Sequence, residues 1–308
     1  MTSPAIIEAA LNGGQSRVAN PAVPLAPTEV AAEARRCADA GASVVHFHAQ
    51  EADGGWLADV SWYAEAIGRV RDAAPGLLIS VTSIRPASVG VATITALLGT
   101  LAAAPHTRPD LLSINLGHIV AWERASGTGG RRTAHFPNDY ADIAALLAVC
   151  RAHRVTPELG VMDLGFLSNA VALRDDGLLP TSAWFLLELD SPAWGTGRQV
   201  APATVANHDF LAAALREHFP RAAWAAHGVG LPGYAVVARA LATGGHARVG
   251  FEDAVQLPDG GLAGSNAALV AWAVATARAA GREPATPAEA RAIIVGGAVT
   301  AAPGENGA

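Results

Sequence analysis

Gly41-Ala42-Ser43-Val44-Val45-His46-Phe47-His48 ends one regular element and begins the next. The Ala-rich stretch 29–40 has helical spacing and stops at Gly41, where a helix C-terminus favours a left-handed residue. A β-branched pair and a short alternation follow directly. In a strand, residues i and i+2 share a face. His46 and His48 therefore converge on one point, while Val45 and Phe47 face packed apolar surface. Two converging imidazoles at a strand end suit a metal ion. The alternative is a pair of structural histidines satisfied by packing.

The same punctuation recurs along the chain. Short apolar runs stand at 6–11, 44–48, 77–81, 111–116, 157–162, 184–189, 222–226 and 247–251. Between and after them lie helical stretches at 29–40, 60–73, 88–103, 139–153, 166–176, 204–218, 233–243 and 265–280. A last helix starts at Thr286-Pro287-Ala288-Glu289, a capping box with proline at the first helical position. Eight strand–helix units predict an α/β chain folded as a (β/α)8 TIM barrel, with a doubly wound sheet as the alternative. Polar residues on alternate positions favour the barrel: Glu8 and Asn12, Ser80 and Thr82, Ser113 and Asn115, Arg248 and Glu252. These would line the mouth while their apolar neighbours meet the helices. No linker interrupts the pattern, so 1–302 reads as one catalytic barrel domain and 303–308 as a disordered tail. Ser126-Gly127-Thr128-Gly129-Gly130 reads as a mobile loop over the mouth, and Arg131-Arg132 as a solvated loop.

Composition narrows the chemistry. The chain has 308 residues, 51% of them hydrophobic, a formal net charge of −6 and no long basic run, so nucleic acid is not an expected partner. Cys37 and Cys150 have no CxxC spacing and read as free buried thiols in a reducing compartment. No leader and no apolar run of about 18 residues is visible, so neither secretion nor a membrane span is expected, and the cytoplasm is the default location. All 21 basic residues are arginine. Without a lysine amine, Schiff-base aldolase, pyridoxal-phosphate and P-loop chemistry are excluded. A carbanion would need a metal ion instead.

The third donor belongs to the eighth strand, Gly244-Gly245-His246-Ala247-Arg248-Val249-Gly250-Phe251-Glu252-Asp253. Arg248, Gly250 and Glu252 share a face there, and Glu252 can join His46 and His48. Two histidines and one carboxylate leave positions open for substrate. Zn2+ is the first choice, with Fe2+, Mn2+ or Co2+ as alternatives. Asp253 follows where the chain turns. Held ionised by Arg248, it could take an acidic C–H proton; a structural Arg–Asp pair at the rim is the alternative. Glu158 starts the fifth strand on the inward face and is a candidate for substrate contact. His227-Gly228-Val229-Gly230 is a weaker candidate, for phosphate. The remaining histidines read as surface or packing residues.

With these residues in view, the chain resembles the β-keto acid cleavage enzymes from Ala9 to about Arg291. The resemblance is carried by Ala40-Gly41-Ala42 through His46-Phe47-His48-Ala49, Thr156-Pro157-Glu158-Leu159, the eighth-strand motif, and Ser265-Asn266-Ala267 with Leu269-Val270. It implies a zinc-bearing barrel, usually a homotetramer, that converts a β-keto acid and acetyl-CoA into acetoacetate and a new CoA thioester. It also implies His46, His48 and Glu252 as zinc ligands, Asp253 with Arg248 as the base, and Thr82, Ser113 and Asn115 as substrate contacts. Departures are specific. Gln15 stands where an acidic residue often meets a substrate amino group, which points to a neutral, hydroxylated or carboxylate-ended side chain. Gln50 and Leu231 replace arginines, and Gly160 replaces a glutamate. Glu188-Leu189-Asp190-Ser191-Pro192 replaces a glycine-rich loop. Two other readings remain: a divergent member that binds a keto acid without turnover, and a metal-dependent hydrolase. The hydrolase usually has HxH on its first strand and often a carbamylated lysine.

Overall fold

The computed structural model describes residues 3–51, 54–124, 131–179, 182–189, 197–198 and 200–296. The loop expected at 126–130, the segment 190–192 and the tail 303–308 lie outside these residues.

Eight parallel strands close into a barrel: β1 (Ile7–Ala10), β2 (Val44–Phe47), β3 (Leu78–Thr82), β4 (Leu111–Asn115), β7 (Thr156–Val161), β8 (Trp184–Leu189), β10 (Ala223–Gly228) and β11 (His246–Val249), with β11 pairing back onto β1. Each matches an apolar run read from the sequence. The helices alternate with them: α1 (Pro27–Ala40), α2 (Val60–Ala73), α3 (Val91–Ala102), α4 (Tyr140–His153), α5 (Leu164–Asp175), α6 (Val205–His218), α7 (Gly233–Ala242), α8 (Asn266–Ala279) and α9 (Pro287–Gly296). Local chemistry sets their ends. Asp59, Asp139, Asp163, Thr204 and Ser265 accept backbone N–H groups of the first turns of α2, α4, α5, α6 and α8. Gly41 ends α1 at φ 109°. Thr286 and Glu289 exchange the expected capping-box bonds.

One feature differs from the sequence reading. Between β4 and α4 the chain forms two antiparallel strands, β5 (Ile119–Arg124) and β6 (Arg131–Phe136), joined by the short β9 (Gly197–Arg198). Arg131 and Arg132 therefore lie in a strand, not a loop. Their backbone groups pair with Arg124 and Glu123.

Side chains inside the barrel change character along its axis. Ile6, Val44, Leu78, Leu111 and Trp184 form a buried apolar layer, closed below by Ala290 and Ile294 of α9. The next inward residues are polar and buried: Glu8, His46, Ser80, Glu158 and Arg248. The larger core lies between the strands and the helices, where Phe47, Ile79, Phe185 and Phe251 pack. Cys37 and Cys150 are free and buried there, and burial raises both thiols, Cys150 to about 12. Among the described residues, no helix is long and apolar enough to cross a membrane.

Candidate active site

At the C-terminal ends of the barrel strands lies a cavity of about 480 Å³. His46, His48 and Glu252 meet at its edge. His46 Nε2 and His48 Nε2 are 3.0 Å apart. Glu252 Oε2 is 3.5 Å from His46 Nε2, and Glu252 Oε1 is 3.6 Å from His48 Nε2. Donors about 2.1 Å from one tetrahedral ion would stand about 3.4 Å apart; one ligand atom from each of the three residues lies within 4.8 Å of the other two, a spacing that could hold a metal ion. Glu252 Oε2 is buried and accepts no hydrogen bond from the described residues, as a ligand atom would. Burial pushes the His46 imidazolium down to about 3, leaving a neutral ring with a free lone pair.

Each donor is held from behind. His46 Nδ1 lies 3.0 Å from Ser80 Oγ, which donates to Glu158 Oε2 at 3.1 Å. This fixes the His46 ring and leaves Nε2 for the ion. Asn12 clamps the His48 backbone: its Oδ1 accepts the His48 N–H at 2.9 Å and its Nδ2 donates to the His48 carbonyl at 3.0 Å. Glu252 emerges from a sharp turn after β11. Gly250 has φ 150°, and a Cβ there would lie 2.0 Å from the Ala10 carbonyl oxygen. Gly13, at φ 53°, leaves space that Glu252 fills; a Cβ there would lie 2.2 Å from Glu252 Cγ. Asn266 braces the turn, accepting the Phe251 N–H at 2.7 Å and donating to the Leu11 carbonyl at 3.1 Å.

Asp253 is buried beside this triad. Arg248 donates to it from Nε at 3.2 Å and from a terminal nitrogen at 3.1 Å, and also contacts Glu252 Oε1 at 2.6 Å. Burial pushes the Asp253 carboxyl up, but Arg248 and then His227 outweigh it and hold the group below its usual value. His227 Nδ1 lies 3.1 Å from Asp253 Oδ1, and its Nε2 lies 3.6 Å from Glu188 Oε2, neither in hydrogen-bond alignment. Burial pushes the His227 imidazolium down, yet the Asp253 charge, aided by contacts to both carboxylates, lifts it to about 9. At neutral pH the site therefore holds an ionised Asp253 between two cations.

Thr82, Ser113, Asn115 and Gln15 line the same cavity. Thr82 Oγ1 accepts the Ile84 N–H, and Gln15 Nε2 donates to the Glu252 carbonyl at 3.3 Å. Glu158 does not line it. It is fully buried beneath, its oxygens accepting from Ser80 and from Trp184 Nε1 at 2.9 Å. Gln50 ties loops together through the Gln15 and Gly54 carbonyls, whereas Leu231 is 42% exposed and does not line the cavity. Ser80, Asn12, His227 and Glu188 are the residues whose roles here the sequence did not reveal. Alternation had already turned Ser80 and Asn12 inward, but their partners come from other strands.

A family model for the beta-keto acid cleavage enzyme matches residues 4–295. The chain is 30% identical over 290 residues to the 3-keto-5-aminohexanoate cleavage enzyme of Fusobacterium nucleatum, covering 94% of this chain and 97% of that one. It is 30% identical over 297 residues to the 3-oxoadipate:acetyl-CoA acetyltransferase of Cupriavidus necator, covering 96% and 95%. The 3,5-dioxohexanoate:acetyl-CoA acetone transferase of Paraburkholderia graminis is 27% identical, covering 89% and 90%. Among solved structures, the binary complex of ObcA with oxaloacetate superposes with a TM-score of 0.72 at 18% identity, over 89% of this chain and 67% of that one. That likeness bears on the fold alone.

Proposed function

The chain belongs to the beta-keto acid cleavage enzyme family, and from that premise we propose that His46, His48 and Glu252 hold its metal ion and that Asp253 is its base. The activity is that of an acyltransferase that breaks a C–C bond: a β-keto acid and acetyl-CoA give acetoacetate and a new acyl-CoA. Zinc is the ion that the two imidazoles and one carboxylate suit first, with Fe2+, Mn2+ or Co2+ as alternatives. The reading also includes a homotetramer and no resident organic cofactor beyond acetyl-CoA as co-substrate.

The observation that carries this reading is the placement of Asp253 one residue beyond Glu252. The proton acceptor and the metal donor thus share one rigid turn. A bound divalent cation would supply Lewis acidity, polarising the β-keto oxygen and acidifying the C–H beside it. Asp253 takes that proton, its carboxylate kept ionised by Arg248. The substrate carbanion attacks the acetyl carbonyl and expels CoA thiolate. Thiolate then adds to the original keto carbon, and the C–C bond breaks to release the new thioester. Asp253 returns its proton to the departing acetoacetate carbon, so atoms and charge balance. Thr82, Ser113 and Asn115 orient the keto acid by hydrogen bonds. No step needs a lysine.

The test is metal analysis of the purified protein, followed by a panel of β-keto acids with acetyl-CoA, scored by the mass of the new thioester. A bound divalent ion with acetyl-CoA-dependent product supports the reading. Tight keto-acid binding with no thioester from any substrate would instead favour a binding protein without turnover.

A further inference from the structure

Among the described residues three carboxylates line the cavity, and two of them, Glu252 and Asp253, are gripped by Arg248. Glu188 is not. Its residue is 9% exposed, its Oε1 is buried without a hydrogen-bond partner among the described residues, and its Oε2 stands 3.6 Å from His227 Nε2. The space it occupies exists because residue 160 is glycine. A Cβ at Gly160 would lie 2.1 Å from Glu188 Oε1 and 2.5 Å from Asn115 Oδ1. Glu188 therefore reaches across Gly160 toward Asn115, and any side chain at 160 would evict it.

Topology places this carboxylate across the barrel from the two histidines and two strands from β11, which leads to Glu252. The closed ring runs β1, β2, β3, β4, β7, β8, β10, β11. β8, which bears Glu188, is the fourth neighbour of β2 in either direction, and β2 leads to His46 and His48. A keto acid anchored at the metal side would extend its acyl end across the mouth toward Glu188. A buried carboxylate oxygen left unpaired is unfavourable, and a substrate N–H or O–H would satisfy it. Gln15 also lines the cavity, its Nε2 held by the Glu252 carbonyl, but its amide carries no charge to attract an ammonium.

We propose that Glu188 determines specificity, receiving a hydrogen-bond donor, ammonium or hydroxyl, at the distal end of the β-keto acid. This rests on the cleavage function proposed above. A substrate ending in a second carboxylate would be repelled, and one ending in a methyl group would leave Oε1 unpaired.

The experiment uses the zinc-loaded full chain and four β-keto acids of matched length ending in ammonium, hydroxyl, methyl or carboxylate. It reads kcat/KM for acetyl-CoA-dependent thioester formation in wild type, Glu188→Gln, Glu188→Leu and Gly160→Ala. In wild type a donor-ended substrate exceeds the methyl one by about 10-fold or more. That ratio collapses in Glu188→Leu and in Gly160→Ala, with zinc content as the control for folding. Glu188→Gln retains an acceptor, so it spares the hydroxyl substrate more than the ammonium one, and the two arms identify the donor. A wild-type preference for methyl or carboxylate ends, or a ratio that Glu188→Leu leaves unchanged, overturns the proposal. If no substrate gives thioester, the cleavage reading fails. Calorimetric binding of the same four acids without acetyl-CoA then reads the selectivity alone: a donor preference lost in Glu188→Leu supports the proposal, and its absence overturns it.

Discussion

Asp253 is held by two cations, Arg248 and His227, that keep it ionised and weaken it as a base. Such a group removes a carbon-bound proton only when the substrate is acidified beside it, which is why the neighbouring donor set matters. Asp253→Asn keeps the shape and two acceptor–donor positions but has no basic oxygen. It should lower kcat by about 10²- to 10⁴-fold with metal content unchanged, read by thioester formation alongside elemental analysis. Normal turnover in that variant would remove Asp253 from the chemistry. Glu252→Gln should separate the two functions in the other direction, losing metal first and activity with it, as equilibrium dialysis against zinc would report. At this scale the sequence exposed donors that are close in the chain or repeated by period two: His46 with His48, Arg248 with Glu252. It offered His227 only as a phosphate candidate, and it could not pair His227 with Asp253 or expose Glu188, because their partners come from other strands. The space for Glu188 exists only because Gly160 on the adjacent strand lacks a side chain.

The turn after β11 is the element on which the site depends. Its backbone is fixed by Asn266 from α8 and by the bond from Glu252 N–H to the Ala10 carbonyl at 3.2 Å. Gly250→Ala adds a Cβ that must meet the Ala10 carbonyl at 2.0 Å, in a backbone region that L residues rarely adopt. The variant should be destabilised by about 3 kcal/mol or more, measured by urea unfolding. It should also lose zinc affinity, because Glu252 and Asp253 ride on the displaced strand end. Unchanged stability would mean that β1 and β11 can separate there. Most elements were legible for a related reason. Each barrel strand is a short apolar run with a glycine or a capping Asp, Ser or Thr near its boundary, and those residues act locally. The hairpin of β5 and β6 was not legible. Its strands flank a Gly-rich segment and carry Glu, Arg and His among the apolar residues, so period two is weak, and pairing across the hairpin had to supply the order.

The closed barrel was readable from the count and order of its units, but closure also brings together groups that no one-dimensional pattern can pair. Glu8 on β1 and Glu158 on β7 stand on opposite walls of the ring and interact at its axis, so Glu8 is raised well above the usual carboxyl range, by burial first and Glu158 next. His246 is pushed down to about 3 by burial and by Arg282, and accepts the Ile6 N–H that links the last strand to the first. His227 is lifted to about 9. These shifts act on stability in opposite directions. Below pH 6.5 the unfolded chain protonates its histidines while folded His246 stays neutral, so stability falls as pH drops from 6.5 toward 3. Folded His227 keeps its proton above 6.5 when the unfolded histidine has lost it. Its stabilisation is complete below 6.5 and is lost as pH rises through 9. Glu8 begins to cost stability once pH passes the unfolded carboxyl value of 4.5, opposing the acid limb, which His46, held near about 3 by burial, reinforces. The metal-free protein should therefore be most stable near about pH 6, with urea midpoints falling on both sides. His227→Gln should flatten the limb between 6.5 and 9 and leave the acid limb in place. An alkaline limb unchanged in that variant would mean that His227 does not carry the charge that its two carboxylate neighbours impose.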